Sequence, residues 1–119
     1  VVRGAVQAIP FGQAEAAERE TGLKPEPVSR GAALSAPAIN DFHELLRGLT
    51  PAEARAFAEA LIEQNPDAVI VADEVGMGVV PLLPEGRLWR EAVGRAMCLL
   101  AASAQSVTRV TCGIPVRIK

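Results

Sequence analysis

The sequence is poor in aromatic residues, histidine and cysteine. Its 119 residues include three Phe, one Trp, no Tyr, one His and two Cys. Because single-stranded nucleic acid is bound largely by stacking bases on aromatic rings, we predict no nucleic-acid ligand. Structural zinc sites need four closely grouped Cys or His ligands, which this sequence does not supply, so we assign no metal ligand. We expect Cys98 and Cys112 to be buried thiols in a reducing compartment.

Long apolar runs and basic clusters are also missing. No stretch approaches the roughly 20 apolar residues that span a bilayer, and the first residues lack the charged and apolar zones of a signal peptide. The formal net charge is −2, with no basic run that would follow a phosphate backbone. Half of the residues are apolar, so the chain can bury a core of one domain's size. We therefore expect a single cytoplasmic domain without a membrane span.

The order of helix and strand signals predicts an α/β domain. Helix formers with cap or stop residues place helices at 13–20, 42–49, 51–64 and 85–103. Apolar, β-branched runs place strands at 1–2, 69–72, 107–112 and 116–119. The Gly- and Pro-containing stretches 4–12 and 23–37 are predicted loops. Because crossovers through helices favour parallel strands, we predict one three-layer domain with a mostly parallel sheet.

The stretch 69–81 holds the strongest functional signal. A buried strand at 69–72 runs into Asp73 and Glu74, and then into a turn that contains Gly76 and Gly78. Open α/β sheets bind their ligands outside the carboxyl ends of the strands. A buried strand that ends in two acids and a Gly-x-Gly turn therefore predicts a binding edge. For Glu74 alone, a solvated loop acid is the alternative.

A second signal is the glycine-containing loop before the first helix. A strand, a loop from Gly4 to Gly12 and a helix have the order of a phosphate-binding loop. The chemistry of that loop is missing, because the glycines are eight residues apart rather than five and Gly12 is followed by Gln13 and Ala14. Neither side chain supplies the cation or the Mg²⁺ ligand of a Walker A motif. An ordinary strand-to-helix connection is the alternative.

Three further features are read from the helices. His43 is the only histidine, and we expect it to lie exposed or at a rim, with a catalytic or nucleotide-contacting role as the alternative. Thr50 and Glu53, on either side of Pro51, form the pattern of a capping box. Gly94 costs about 1 kcal/mol relative to Ala in a helix interior, so it predicts the close approach of another backbone.

Three segments together resemble the bifunctional adenosylcobinamide kinase/adenosylcobinamide-phosphate guanylyltransferases, which build the nucleotide loop of cobalamin. The segments are Glu74-Val75-Gly76-Met77-Gly78-Val79-Val80-Pro81, Gly94-Arg95 with Leu99-Leu100-Ala101, and Cys112-Gly113-Ile114-Pro115-Val116-Arg117-Ile118-Lys119. The first segment follows the family's pattern of a strand and then Asn-Glu-Val-Gly-x-Gly-x-Val-Pro, with Asp73 in place of Asn. The similarity is clear over about residues 68–119. Upstream, Gly12-Gln13 stands where the family has Gly-Lys, and Asn40-Asp41-Phe42-His43 matches an Asn-x-Phe-His segment.

The resemblance implies a P-loop-type fold, ATP or GTP as substrate, Mg²⁺, a corrinoid ligand and a homo-oligomer. It makes Glu74 and His43 candidate catalytic residues. The candidates for nucleotide or substrate binding are Gly4, Gly12, Gln13, Asp73, Gly76, Gly78 and Arg95. Because the phosphate-loop Lys and Ser/Thr are replaced, three hypotheses stay open. The chain is an enzyme of cobalamin assembly, or a catalytically degenerate family member that binds nucleotide, corrinoid or a partner enzyme. The third hypothesis, a purely structural α/β domain, explains the composition but not the acids and glycines at the end of the strand.

Overall fold

A five-stranded sheet forms the centre of the protein. The computed structural model describes residues 4–8, 12–73, 84–111 and 113–119. Its strands are β1 (Gly4–Ala8), β2 (Ala38–Ile39), β3 (Val69–Asp73), β4 (Val107–Thr111) and β5 (Ile114–Arg117), in the spatial order β2-β3-β1-β4-β5. The first four strands are parallel and β5 pairs antiparallel with β4. The predicted α/β class and the largely parallel sheet are therefore confirmed.

In the described ranges, four α-helices and one 3₁₀ helix connect these strands. The α-helices are α1 (Gln13–Thr21), α2 (Arg30–Ala33), α3 (Pro51–Gln64) and α4 (Pro84–Ser103), and the 3₁₀ helix spans Phe42–Leu46. Among the described helices, α4 included, none is long and apolar enough to span a bilayer.

The direction of each crossover decides which face of the sheet a helix covers. The chain leaves β1 towards β2 and leaves β3 towards β4, which lie on opposite sides of the β3–β1 pair. Right-handed crossovers in opposite directions place their helices on opposite faces. Accordingly, Ala16 and Ala17 of α1 pack with Val69 and Val71 of β3. On the other face, helices α3 and α4 pack with a cluster that includes Ile70.

Helix α3 begins and ends where its sequence predicts. The Thr50 hydroxyl accepts a hydrogen bond from the Glu53 backbone N–H at 3.1 Å, and the Glu53 carboxylate accepts one from the Thr50 N–H at 3.0 Å. This capping box satisfies two helix-terminal donors. At the other end, Asn65 Nδ2 donates to the backbone carbonyls of Ala33 and Ala36, both at 2.8 Å. These bonds fix the segment before β2 against the end of α3.

The first strand lies where the sequence predicts a loop. Gly4–Ala8 is β1, between β3 and β4, and its composition of Gly, Ala, Val and Gln has weak strand propensity. Pairing with a strand on each side supplies the backbone hydrogen bonds that decide its conformation. The predicted strand at residues 1–2 lies outside the described part of the chain. The predicted loop 23–37 contains the short helix α2, which is capped by Ser29.

Two predictions about α4 are wrong. Gly94 was expected to face a neighbouring backbone, but a Cβ atom built on it meets nothing within 4 Å. Cys98 was expected to be buried and is exposed. Both lie on the outer side of a helix whose other side, including Val93 and Met97, is buried. Cys112 lies outside the described residues.

Candidate functional site

The candidate site lies where the carboxyl ends of β1 and β3 meet the start of α1. Ala8 is paired with Asp73, so the two strands end at the same edge of the sheet. Helix α1 starts at Gln13, and its N-cap Gly12 has φ +93° and no side chain that could cap the helix. The first backbone N–H groups of a helix have no acceptor within the helix. This edge therefore brings the helix-terminal N–H groups of α1 and the side chain of Asp73 together.

Asp73 is held by two buried side chains. Gln13 Nε2 donates a hydrogen bond to Asp73 Oδ1. His43 Nε2 lies 3.4 Å from Asp73 Oδ2. The Asp73 side chain is 36% exposed, whereas that of His43 is 6% exposed. A carboxylate that solvent can reach is thus oriented by partners that solvent does not reach.

His43 is buried, which corrects the prediction that it lies on a helix surface or at a rim. Its Nδ1 accepts a hydrogen bond from the backbone N–H of Asp73 at 3.0 Å. A ring nitrogen that accepts a hydrogen bond carries no proton, so the proton of the neutral ring is on Nε2. Nε2 faces the carboxylates of Asp73 and Glu44, at 3.4 and 3.5 Å. Both ring nitrogens are therefore engaged.

The 3₁₀ helix that carries His43 is fixed from two directions. Trp89 Nε1 of α4 donates to the His43 backbone carbonyl at 2.8 Å. Arg30 of α2 donates to the carbonyls of Leu45 and Arg47, both at 2.7 Å. Phe42, next to His43, is fully buried in the core. These contacts explain why the imidazole is held inside the protein rather than on a solvent-facing turn.

Glu44, Arg47 and Trp89 form the solvent-facing rim of the His43 segment. Arg47 Nε donates to Glu44 Oε2 at 2.6 Å, and its guanidinium carbon lies 3.9 Å from the centre of the Trp89 ring. The hydrogen bond from Arg47 lowers the pKa of Glu44 below its usual value, and the same bond raises the pKa of Arg47. The sequence gives no spacing signal for this group, because Trp89 is 42 or more residues from the other two. Trp89 is the only Trp in the sequence, and that was the one sequence feature that drew attention to this residue.

Gly12 and Gln13 lie in a tightly packed corner. A Cβ atom at Gly12 would lie 2.8 Å from Cα of Gly113, in the turn between β4 and β5. Gln13 is 8% exposed, and its Oε1 is buried without a hydrogen-bond partner among the described atoms. The orientation of its amide is set by Asp73, which accepts from Nε2. Oε1 is thus left as an acceptor at the start of α1.

The other predicted site residues are not brought into this cluster. Gly4 begins β1 opposite Val69, four residues before the edge where Asp73 lies. Arg95 is on the outer side of α4, donates to Glu91 at 2.7 Å and lines a cavity of about 450 Å³ that also involves Arg55. Glu74, Gly76 and Gly78 lie outside the described residues. The predicted residues that come together are Gly12, Gln13, His43 and Asp73.

Metal binding by protein side chains alone finds no support at this edge. In the described ranges, no group of three or more His, Cys, Asp or Glu side chains is close enough to hold a metal ion. The described side chains of this edge would therefore supply only part of the ligand set of a metal ion.

Comparison with known proteins identifies the family. The family model described as cobinamide kinase/cobinamide phosphate guanyltransferase matches residues 38–118. That range includes His43, Asp73 and Trp89 but not the start of α1.

Two curated relatives match shorter stretches. The bifunctional adenosylcobalamin biosynthesis protein CobU of Escherichia coli (strain K12) is 40% identical over 68 residues, which is 57% of this chain and 38% of that protein. The protein of the same name from Salmonella typhimurium (strain LT2) is 47% identical over 51 residues, which is 43% of this chain and 28% of that protein. The matches therefore span well under half of each relative's length. Because the family model covers about two thirds of the sequence, this chain belongs to the cobinamide kinase/cobinamide phosphate guanyltransferase family.

Proposed function

We propose that this protein acts in the assembly of cobalamin, transferring a phosphoryl or guanylyl group from ATP or GTP to cobinamide or its phosphate. Family membership supports the substrate class. The observation that carries the proposal is the Asp73 carboxylate, oriented by Gln13 and His43 beside the start of α1. Phosphoryl and nucleotidyl transfer depend mainly on positioning and electrostatic stabilisation, which a fixed and accessible carboxylate can provide.

We propose that the nucleotide phosphates meet the start of α1. The strand order β2-β3-β1-β4, with α1 directly after β1, suits a three-layer P-loop-type domain. The uncapped backbone N–H groups after Gly12 and the positive end of the helix dipole can bind an anion without a lysine. Gln13 replaces the lysine of the phosphate loop, so this contact is weaker than in an intact Walker A motif.

Mg²⁺ fits the oxygen atoms at this edge. It takes hard oxygen ligands and is commonly held by one or two carboxylates together with substrate phosphates and water. Gln13 Oε1, which has no hydrogen-bond partner among the described atoms, is a hard oxygen of that kind. When bound, Mg²⁺ would neutralise charge on the phosphates. Glu74, the acid that follows Asp73 in the sequence, is a further candidate for this role.

A second function is favoured by a specific contact. Gln13 donates to Asp73, so the side chain at the position of the family's lysine is turned towards the protein rather than towards a phosphate. This arrangement suits a catalytically degenerate member that binds nucleotide, corrinoid or a partner enzyme.

Ligand-induced thermal stabilisation combined with label transfer distinguishes the two functions. Purified protein is melted with ATP or GTP and Mg²⁺, with and without adenosylcobinamide. Transfer from γ-labelled ATP and α-labelled GTP to the corrinoid is then measured. We expect stabilisation by nucleotide and transfer from at least one of the two labels. Thermal stabilisation without label transfer contradicts the enzymatic function and supports the catalytically degenerate member. The absence of both stabilisation and transfer contradicts both proposed functions.

From the resemblance alone, we also propose a cytoplasmic homo-oligomer. Sedimentation velocity on the full chain tests the oligomeric state, and a monomer at every concentration would contradict it.

A further inference from the structure

Asp73 and His43 contact each other twice, once through the backbone of Asp73 and once through its side chain. From this geometry we infer that Asp73 is the residue that meets the alcohol group of the substrate, as its proton acceptor. We also infer that His43 is a positioning residue and not a nucleophile. The identity of the alcohol as a cobinamide hydroxyl rests on the proposed function. The assignment of the two side chains rests on their contacts.

The hydrogen bonds of His43 are incompatible with nucleophilic attack. A histidine nucleophile needs an unshared electron pair that is directed at the phosphorus atom. The Nδ1 pair accepts the Asp73 backbone N–H at 3.0 Å, and Nε2 carries the proton and faces carboxylates. The side chain is also only 6% exposed. Attack would require both contacts to break and the ring to leave its pocket beside Trp89.

Asp73 has the capacity that His43 lacks. A carboxylate offers about four lone-pair sites. Gln13 uses one site on Oδ1, and His43 faces Oδ2. The remaining sites and the 36% exposure of the side chain leave room for a ligand hydroxyl.

The proposed step balances with the nucleotide as co-reactant. The alcohol O–H bond breaks and its proton passes to the Asp73 carboxylate. The alcohol oxygen forms a bond to the phosphorus atom, and the bond from that phosphorus to the leaving phosphate oxygen breaks. His43 and Gln13 hold the carboxylate in one orientation during the step. Correct placement of a general base typically contributes 10²–10⁴-fold to rate.

Nitrogen NMR tests the positioning role directly, because the chain has a single histidine. Protein labelled with ¹⁵N-histidine is examined at a pH where the ring is neutral. We expect Nε2 to carry the proton and Nδ1 to be unprotonated, and we expect Trp89→Phe to broaden or shift this signal. A ring with the proton on Nδ1 would overturn the assignment, whether or not the protein has any activity.

Kinetics test the catalytic role of Asp73. We expect Asp73→Asn, which preserves shape and the backbone N–H, to lower kcat by about 100-fold or more, with the KM for nucleotide changed by less than about two-fold. His43→Ala should lower kcat by a similar factor, and His43→Gln, which restores a side-chain N–H donor, should recover about ten-fold of it. Covalent label on His43, or equal abolition of activity in His43→Ala and His43→Gln, would overturn the positioning role.

Binding separates this inference from the proposed function. If the wild-type protein binds adenosylcobinamide without turnover, the proposed enzymatic function is contradicted. In that case Asp73→Asn should still weaken corrinoid binding by about five-fold or more. The reason is that a hydrogen bond to a charged carboxylate is stronger than one to a neutral amide. An unchanged affinity would overturn the role of Asp73. If the wild-type protein binds no corrinoid, the alcohol assignment fails together with the proposed function, and the NMR result still decides the role of His43.

Discussion

The backbone N–H of Asp73 donates a 3.0 Å hydrogen bond to Nδ1 of His43, joining the last residue of β3 to the 3₁₀ helix. A backbone donor cannot be removed by mutation of its own side chain, so it fixes the ring under every substitution at Asp73 except proline. The position of the His43 ring therefore does not depend on the Asp73 side chain alone. The deeper burial of His43 and the greater exposure of Asp73 are the basis for assigning orientation to His43 and ligand contact to Asp73.

Substitution of Gly12 should be strongly destabilising. Gly12→Ala forces a left-handed backbone (φ +93°) on a residue with a Cβ, which would lie 2.8 Å from Cα of Gly113. Strain and overpacking each cost about 1–3 kcal/mol, so we expect a loss of about 3 kcal/mol in the free energy of unfolding, measured by urea denaturation.

Gly22→Ala is the matched control for the contact with Gly113. Gly22 has a similar conformation (φ +75°) but open space around it, and we expect a loss of only about 1 kcal/mol. Equal losses of stability in the two variants would show that the close approach of Gly12 to Gly113 adds nothing to the cost of the Gly12→Ala substitution.

Gly94→Ala should stabilise the protein. Gly94 lies inside α4, and a Cβ atom built on it meets nothing within 4 Å. Alanine reduces the entropy of the unfolded chain, and the expected gain is about 0.5–1 kcal/mol in the free energy of unfolding. A lower free energy of unfolding in the urea titration would mean that a partner or ligand approaches this side of α4.

Trp89→Phe should lower the stability of the protein, although an aromatic side chain is kept at position 89. The variant loses the hydrogen bond from Nε1 to the His43 carbonyl, which lies in a buried segment. An unsatisfied acceptor costs about 1–3 kcal/mol. Circular dichroism gives the midpoint of unfolding, and Leu88→Ala, at an exposed neighbour in the same helix, should change stability by less than about 0.5 kcal/mol. A loss no larger than that of Leu88→Ala would contradict the role of this bond.

The contact between Glu44 and Arg47 should make stability depend on pH. The pKa of Glu44 in the folded protein lies below its ordinary value of 4.5, chiefly because Arg47 donates a hydrogen bond to it. The stabilisation that the ionised Glu44 contributes is therefore fully present at pH values above its ordinary pKa. It is lost as the pH falls through the pKa of Glu44 in the folded protein.

Glu44→Gln tests this dependence. We expect the variant to be less stable than wild type above pH 4.5, by no more than about 1 kcal/mol because the pair is largely exposed. The two proteins should converge in acid, as measured by urea midpoints across pH. A difference that grows in acid would contradict the assignment.

Local signals in the sequence were enough to predict the start of α3, the extent of α4 and the strand β3. Thr50 and Glu53 act within one turn, and the run at 69–72 is apolar throughout. Gly22 ends α1 in a left-handed conformation, as its position after a run of helix formers indicates. These features depend on residues a few positions apart, which is why they can be read without the tertiary structure.

The assembly of the site depended on residues far apart in the chain. The sequence by itself determined that β3 ends in an acid and that α1 begins after a glycine without a phosphate-loop lysine. Only the tertiary structure decided that Gln13 and His43, 60 and 30 residues away, meet at Asp73. The strand β1, whose own residues favour no strand, forms because β3 and β4 pair with it on both sides. His43 is buried because Trp89 and Arg30 hold its 3₁₀ helix against the core, and no pattern within residues 42–46 encodes those contacts.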